Sequence, residues 1–145
     1  ESLRKIIQFG RTGKPVVVGY ISDQTPFWWN IHHWIKFLNQ ETPVLTGAER
    51  IVKHTRQVFV YGDVTRTRRG HYNCEFHIIR KETKDQSEYE ITDLYFQELE
   101  MSIRRQPEIY LWSHNRWKRT RARFNEYFEE VDGKVHLRKG KEMIY

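Results

Sequence analysis

The decisive stretch is Pro107-Glu108-Ile109-Tyr110-Leu111-Trp112-Ser113-His114-Asn115-Arg116-Trp117-Lys118. It places a proline, three large aromatic residues, a histidine and two cations within twelve positions, and three more arginines follow by residue 123. A solvated loop rarely carries two tryptophans, and a core segment rarely carries this many charges. The rings and cations therefore either form a binding surface or fix this segment against the rest of the fold.

Length and charge limit the class of protein. The chain has 145 residues and a formal net charge of +6, with an isoelectric point near 9.5. This length is typical of one domain that buries a real core. The positive charge favours an anionic partner, such as nucleic acid, a phospholipid surface or a phosphorylated substrate.

The single cysteine, Cys74, excludes an internal disulfide and a cysteine-based zinc site. No run of about 18 uncharged apolar residues predicts a transmembrane helix, and no signal peptide is recognised. The first residue is Glu1 rather than methionine. We therefore expect the chain to be processed or to be a piece of a longer protein.

The first part of the chain has an α/β pattern. Residues 1–9 place apolar side chains on one helical face and predict a helix that ends at Gly10 or Gly13. The continuous apolar run Val16–Ile21 predicts a strand buried on both faces of a sheet. Because ligands bind at the carboxyl ends of strands in such sheets, we expect Asp23 and Gln24 at the rim of a site.

The rest of the chain predicts alternating helices and strands. The segment 71–78 alternates strictly between polar and apolar residues, which is typical of a half-exposed antiparallel strand near a sheet edge. Asp132–Gly133 predicts a turn within a loosely ordered tail, 131–145. The other predicted elements are a helix over 46–55, a buried strand over 58–61, a helix capped by Thr92 and ended by Pro107, and a helix over 117–128.

The segment 27–38 supports two interpretations. It contains three tryptophans, Trp28, Trp29 and Trp34, and two phenylalanines. This aromatic content exceeds the usual need of a small core and favours an apolar surface, such as a lid or a lipid-facing ridge. The alternative is a core segment beneath a long loop.

Metal and nucleotide motifs are not recognised. His32, His33 and His54 show no ligand spacing, so we predict no metal site. His77 and Glu82 have H-x4-E spacing, which we interpret as chance because they lie on a strand and in a loop. No glycine-rich phosphate loop or nucleophile elbow is present.

The segment 104–123 carries seven cations against one acid. Cations interleaved with aromatic residues are typical of single-stranded nucleic-acid binding, with bases stacked on the rings. The same chemistry fits an anionic membrane surface, with rings at the headgroup level. Composition does not separate these two hypotheses.

Three motifs in fixed order point to a known family. The first is a strand ending in Asp-Gln, here Val16 to Gln24. The second is strand 58–60 followed by an arginine and a Gly-x-Tyr strand entry, here Arg66 and Gly70-His71-Tyr72. The third is a helix before Pro-Glu-x-Tyr-x-Trp-x-His-x-Arg-aromatic-Lys, represented here by Glu100, Ile103, Pro107, Glu108, Tyr110, Trp112, His114, Arg116, Trp117 and Lys118. Over residues 1–120 the chain resembles the bacterial lipid A biosynthesis (lauroyl/myristoyl) acyltransferases or related lysophospholipid acyltransferases. It departs from their pattern at Asn115, often arginine, and Trp117, often phenylalanine.

The resemblance implies an α/β fold: the C-terminal half of a glycerolipid-acyltransferase-like domain, with a partial mixed sheet flanked by helices over residues 1–130. It implies that the full-length enzyme moves a fatty acyl chain from acyl carrier protein, or from acyl-CoA, to a hydroxyl of a lipid A precursor or lysolipid. The implied location is the cytoplasmic face of the bacterial inner membrane, with an anchor absent from this chain. No cofactor and no nucleic acid are expected.

The family's catalytic H-x4-D/E motif precedes the Asp-Gln strand, but no histidine precedes Asp23 in this sequence. That histidine would deprotonate the acceptor hydroxyl for attack on the thioester. We therefore assign no catalytic residue to this chain and expect it to be inactive alone. The resemblance implies that the substrate site is lined by Asp23, Gln24 and Arg66. Candidate contacts with an anionic membrane or substrate are Trp28, Trp29, Trp34, Arg116 and Lys118.

Two alternatives stay open on the sequence: a basic, aromatic-rich nucleic-acid-binding module and a non-catalytic interaction domain. In the family interpretation, the stretch 107–118 is a closing element that fixes the last helices to the sheet. Bracing is favoured over direct contact because buried Tyr and Trp usually need fixed hydrogen-bond partners.

Overall fold

The computed structural model describes residues 2–144, with the side chains of Ser2 and Leu3 and all of Glu1 and Tyr145 outside that description. The predicted apolar contribution of Leu3 therefore lies outside the described residues. The fold is mixed α/β, as predicted, with three two-stranded antiparallel sheets in the described part. The helices are α1 (Ser2–Gly10), α2 (Gly47–Thr55), α3 (Glu90–Arg105) and α4 (Arg121–Tyr127), and the strands are β1 (His33–Phe37), β2 (Gln40–Val44), β3 (Phe59–Arg68), β4 (His71–Arg80), β5 (Phe128–Val131) and β6 (Lys134–Leu137).

The segment Val16–Ile21 is not the doubly buried strand that its composition predicts. It forms no strand pair within residues 2–144, and Val17 and Ile21 are 98% and 79% exposed. The Tyr20 hydroxyl ties this segment to the fold by donating a hydrogen bond to Oε1 of Gln57 at 3.1 Å. Apolar β-branched residues favour an extended backbone, but a strand also needs a neighbouring edge that supplies hydrogen bonds.

The hairpin β3–β4 confirms the predicted antiparallel strand over 71–78, but the expectation of a half-exposed strand was wrong, because every residue from 71 to 78 is exposed. Because side chains alternate across a strand, the hairpin has two different faces. The inner face packs on α3, where the Tyr61 hydroxyl donates to Oγ of Ser102 at 3.0 Å. The outer face carries Val60, Gly62, Val64 and Arg66 on β3, paired with Ile78, Phe76, Cys74 and Tyr72 on β4.

Helix α3 begins earlier than its predicted cap. It starts at Glu90, so Thr92 lies inside the first turn rather than before it. There the backbone N–H and hydroxyl of Thr92 donate to Oε2 of the buried Glu49 at 2.9 and 2.7 Å. Tertiary capping by a distant carboxylate replaces the predicted local cap. The predicted end is confirmed, since α3 stops at Arg105 and Gln106 has φ −142° before Pro107.

The segment 27–38 divides between core and surface. Trp28 is 2% exposed and stacks on Phe128 with ring centroids 5.3 Å apart. Phe37 is fully buried in a second cluster with Phe96. Phe27 and Trp29 are exposed and stack on each other. Both interpretations of this segment therefore hold for different residues.

The C-terminal part is more regular than the sequence predicts. The helix predicted from residue 117 begins at Arg121, where Oγ1 of Thr120 accepts from the N–H of Arg123. The predicted turn is confirmed, with Asp132 and Gly133 at φ 51° and 70°, values that suit a tight hairpin turn. The tail was expected to be loosely ordered, but residues 134–137 form β6 against β5. The apolar side chains of β6, Val135 and Leu137, pack against the core cluster that contains Trp28 and Phe128. This packing explains why the tail is ordered.

Candidate functional site

Arg116 is the central side chain of the stretch 107–118. It is 1% exposed, and its guanidinium carbon lies 5.1 Å from the ring centroids of both Phe37 and Phe96. Nη1 donates to the backbone carbonyl of Asp23, while the Arg116 carbonyl accepts from Oγ1 of Thr25 at 3.1 Å. Burial lowers the pKa of Arg116, although Tyr110 and Asp23 favour its charged form. Arg116 therefore fixes the loop 23–25 to the core.

The tryptophans of the stretch also act as braces. The indole N–H of Trp117 donates to Oγ1 of Thr42 at 2.9 Å, and that of Trp112 donates to the carbonyl of Pro107 at 2.7 Å. Tyr110 packs edge-on against Trp112 at 5.0 Å. These bonds fix both indoles within the fold, which favours the closing role, while Trp112 remains 52% exposed.

An apolar groove lies between the segment Val16–Ile21 and strand β3. Its volume is about 1070 Å³, at the upper end of the range for ligand pockets in proteins. Its lining also includes Leu99 and Ile103 of α3, and Tyr110 from the stretch 107–118. Burial raises the pKa of Tyr110. The groove can therefore hold an apolar chain.

Asp23 lines this groove, and its role at the rim of a substrate site stays a prediction. Nε2 of Gln24 lies 3.4 Å from Oδ1 of Asp23, but Gln24 itself is exposed and is not part of the lining. Arg116 reaches the backbone of Asp23 and leaves the carboxylate available. Of the predicted pair, Asp23 is thus the residue that the fold places at the groove.

A basic pocket adjoins the groove at the far end of β3. It has a volume of about 480 Å³ and is lined by Arg66, Arg68, Arg69, Thr67, Gln106 and Glu108. The backbone of Arg66 is fixed on both sides by the amide of Gln106, at 2.8 and 2.9 Å. Its guanidinium faces Glu108 at 3.7 Å, too long for a strong ion pair. The pocket can accept an anion.

A polar network that the sequence did not reveal lies beneath the groove. Asp63 of β3 is 6% exposed and accepts from Oγ of Ser102 at 2.8 Å and from Nη2 of Arg105 at 2.7 Å. Burial by itself would raise the pKa of Asp63, but the hydrogen bonds and the charge of Arg105 outweigh it and hold the pKa below the usual range. This network fixes β3 to α3. A polar residue inside an apolar strand pattern was the one sequence signal for it.

We expect Asp63→Asn to cost about 2 kcal/mol at neutral pH, since a charged hydrogen bond is worth about 1.5–3 kcal/mol. Because the folded state holds the pKa of Asp63 below its ordinary value of 3.8, the unfolded chain binds more protons there. The stabilisation is therefore full above that value and is lost as the pH falls below it. Urea unfolding at several pH values should show the difference between wild type and variant shrinking in acid. Asp85→Asn, at an exposed position, is the control. Its stability should differ little from that of the wild type, and the difference should not change with pH.

Two of the candidate membrane contacts need correction. Trp28 and Arg116 are 2% and 1% exposed, so neither side chain has surface left for a bilayer. Aromatic contacts hold both side chains inside: the Trp28 ring stacks on Phe128, and the Arg116 guanidinium lies over the rings of Phe37 and Phe96. Trp29 and Lys118 are exposed, and Trp34 is partly buried against Phe124.

Two histidines form close pairs with carboxylates: Nδ1 of His32 lies 2.8 Å from Oε1 of Glu130, and Nε2 of His33 lies 2.7 Å from Oδ1 of Asp93. His77 lies 3.9 Å from carboxylate oxygens of Glu98 and Glu75, and Glu82 is in the following loop rather than beside it. Within residues 2–144, no group of three His, Cys, Asp or Glu residues is placed to hold a metal ion. In the same range, no helix combines the length and apolarity needed to cross a membrane.

Comparison with known proteins agrees with the motif order. The sequence model of the family described as "Bacterial lipid A biosynthesis acyltransferase" matches residues 1–119, which include the loop 23–25, the basic pocket and the closing stretch. No curated protein and no solved structure matches the chain. Since the match spans most of the 145 residues, this chain belongs to the bacterial lipid A biosynthesis acyltransferase family.

Proposed function

We propose that this chain forms the lipid-binding part of an acyltransferase that moves a fatty acyl group from acyl carrier protein, or acyl-CoA, to a hydroxyl of a lipid A precursor or lysolipid. The observation that carries the proposal is an apolar groove along β3 with a basic pocket beside it: Val64 lines the groove, and Arg66, two residues further along the strand, lines the pocket. An acyl chain gains about 0.8 kcal/mol for each CH₂ group that leaves water. Lipid phosphates or carboxylates are the natural anions for clustered arginines.

In this proposal, two of the three predicted site residues, Asp23 and Arg66, take part in substrate binding. The acyl chain lies along β3 and the segment Val16–Ile21, and Asp23 marks the polar end of the groove. Arg66 faces the anionic headgroup, because its guanidinium has only a long contact with Glu108. The proposed location is the cytoplasmic face of the bacterial inner membrane, where the lipid acceptor lies in the bilayer and the acyl donor arrives from solution.

No side chain of this chain is assigned as the catalytic base. No histidine precedes Asp23 in the sequence, and His77 faces Glu98 and Glu75. We propose that the histidine which deprotonates the acceptor hydroxyl lies outside residues 1–145 and that this chain alone does not catalyse transfer. Acyl transfer from acyl carrier protein by the purified chain would contradict that statement.

Val60→Asp should weaken the binding of lauric acid about tenfold or more, because it places a charge in the groove wall and a tenfold change needs only about 1.4 kcal/mol. The measurement is displacement of a fluorescent fatty acid from the purified chain. Met101→Asp is the matched control, since Met101 is exposed on α3 and does not line the groove. Equal losses in both variants, or none in Val60→Asp, would argue against the groove.

Arg66→Ala should weaken the binding of lysophosphatidic acid about tenfold, because a charged hydrogen bond is worth about 1.5–3 kcal/mol. The binding of a monoacylglycerol of the same chain length should not change. The same displacement measurement compares the two ligands. Arg123→Ala, which removes an exposed cation from α4, should leave both affinities unchanged. An equal loss for both ligands would show that Arg66 supports the fold rather than the headgroup.

A further inference from the structure

The outer face of the hairpin β3–β4 is apolar and uncovered. Its β4 row contains Tyr72, Phe76 and Ile78, which are 64%, 74% and 56% exposed. Val60 and Val64 continue the same face on β3 and are also exposed. Within residues 2–144, β3 and β4 pair only with each other. An apolar patch of this kind on a protein surface usually marks an interaction site.

Three of the four arginines of this hairpin lie at its tip, while Asp63, Glu75 and Arg80 lie further along the strands. Arg66, Arg68 and Arg69 lie there, and Arg66 shares the outer face as the partner of Tyr72. Neither Arg68 nor Arg69 forms an ion pair with any other residue of the described chain. An apolar face that ends in a tyrosine beside arginines has the order of an interfacial element, with apolar residues in the acyl layer, the ring at the boundary and cations on phosphates.

The outer face is continuous with the groove. Val60, Gly62, Val64 and Phe76 belong both to that face and to the groove lining. A lipid that leaves a bilayer along this face would reach the groove without exposing its acyl chain to water. The arginines at the tip would keep contact with its headgroup during that passage.

We propose that the outer face of the hairpin β3–β4 docks on an anionic phospholipid bilayer and opens the groove towards it, an inference that rests on the proposed function. A second copy of this chain would also cover Phe76 and Ile78. It would, however, bring a surface of the same positive sign, with no partner for the three arginines. Charge complementarity therefore favours the anionic bilayer.

The only cysteine of the chain provides a direct probe. Cys74 is exposed on the outer face, opposite Val64. A nitroxide attached to it should gain accessibility to oxygen and lose accessibility to a water-soluble nickel complex when vesicles of phosphatidylglycerol and phosphatidylethanolamine are added. The same label on Met101→Cys in a Cys74→Ser background should stay in water, because Met101 projects from α3 instead. A label at Cys74 that stays in water would overturn the proposal.

Variants then test the two chemical parts. Tyr72 and Ile78 lie outside the groove lining, so the double variant Tyr72→Asp/Ile78→Asp should reduce vesicle cosedimentation about tenfold while lauric acid binding is retained. Met101→Asp/Leu111→Asp is the control for two exposed apolar positions and should bind as the parent does. Arg68→Ala/Arg69→Ala should lower binding to anionic vesicles and reduce its dependence on salt.

The outcomes separate this inference from the proposed function. Retained lauric acid binding with no vesicle binding would overturn the membrane face and leave the groove standing. Self-association in solution that is lost in Tyr72→Asp/Ile78→Asp, without vesicle binding, would identify a second copy as the occupant and would also overturn it. Equal binding to anionic and neutral vesicles would contradict the role of the arginines. Vesicle binding without lauric acid binding would support the docking face and count against the proposed function.

Discussion

Arg116→Ala should lower the free energy of unfolding by about 4 kcal/mol, the size reserved for disruption of a buried network. The guanidinium lies between the rings of Phe37 and Phe96, and a desolvated cation–π contact is worth about 2 kcal/mol. Its hydrogen bond to the carbonyl of Asp23 adds about 1.5–3 kcal/mol. Alanine removes these contacts and leaves a cavity in the core beside Phe37 and Phe96.

Two variants sharpen this prediction. Lys118→Ala, at an exposed position two residues later, should change stability by less than about 0.5 kcal/mol. Arg116→Met fills the space between the rings and removes a charge whose Nε and Nη2 atoms have no partner, so it should recover roughly half of the loss. Urea unfolding followed by circular dichroism measures all three. A stability of Arg116→Ala equal to that of Lys118→Ala would refute the bracing role.

Glu49→Ala should lower the free energy of unfolding by about 3 kcal/mol, since it removes two charge-assisted hydrogen bonds. Glu49 is 4% exposed, and its Oε2 accepts from the backbone and the hydroxyl of Thr92 in the first turn of α3. Its negative charge also lies at the positive end of the helix dipole. Lys53, 3.5 Å away, would lose its carboxylate partner.

The control for Glu49 is Glu41, which pairs with Arg121 at 3.0 Å but is 62% exposed. Surface pairs of this type contribute about 0–1 kcal/mol, so Glu41→Ala should be nearly neutral. Thermal and urea unfolding should both give Glu49→Ala a much lower stability than Glu41→Ala. Hydrogen exchange should further show that the first turn of α3 opens more often in Glu49→Ala, and unchanged exchange there would contradict the capping role.

Local chemistry was sufficient where neighbours in sequence decide the outcome. The alternation of 71–78 correctly placed Tyr72, Cys74, Phe76 and Ile78 on one face, because the period of a strand is a local property. Pro107 ended α3 as predicted, because its ring restricts the residue before it. The order of three motifs was enough to identify the family.

Elements that depend on distant partners were predicted poorly. The run Val16–Ile21 has the composition of a buried strand, yet Val17 is 98% exposed. Its composition says nothing about whether another backbone lies within hydrogen-bonding distance. Thr92 was expected to cap its own helix. Instead, its hydroxyl donates a hydrogen bond to the carboxylate of Glu49, 43 positions away.

The candidate site shows the same division. Asp23, Gln24 and Arg66 were predicted to line the site. Asp23 lies on the groove and Arg66 in the basic pocket, whereas Gln24 lines neither. The network of Asp63, Ser102 and Arg105 was not foreseen. A single aspartate within a strand pattern does not reveal which side chain on another element will meet it.

For the stretch 107–118, the sequence by itself determined the proline stop, the family and the presence of rings and cations that need partners. Only the tertiary structure decided that Arg116 lies inside, between Phe37 and Phe96, while Lys118 remains in solvent. Both side chains carry a positive charge, but one is buried and the other is exposed. A charge is buried only where distant segments contribute rings and carbonyls that contact it. Those partners come together only when β1, α3 and the loop after Ile21 pack around one point.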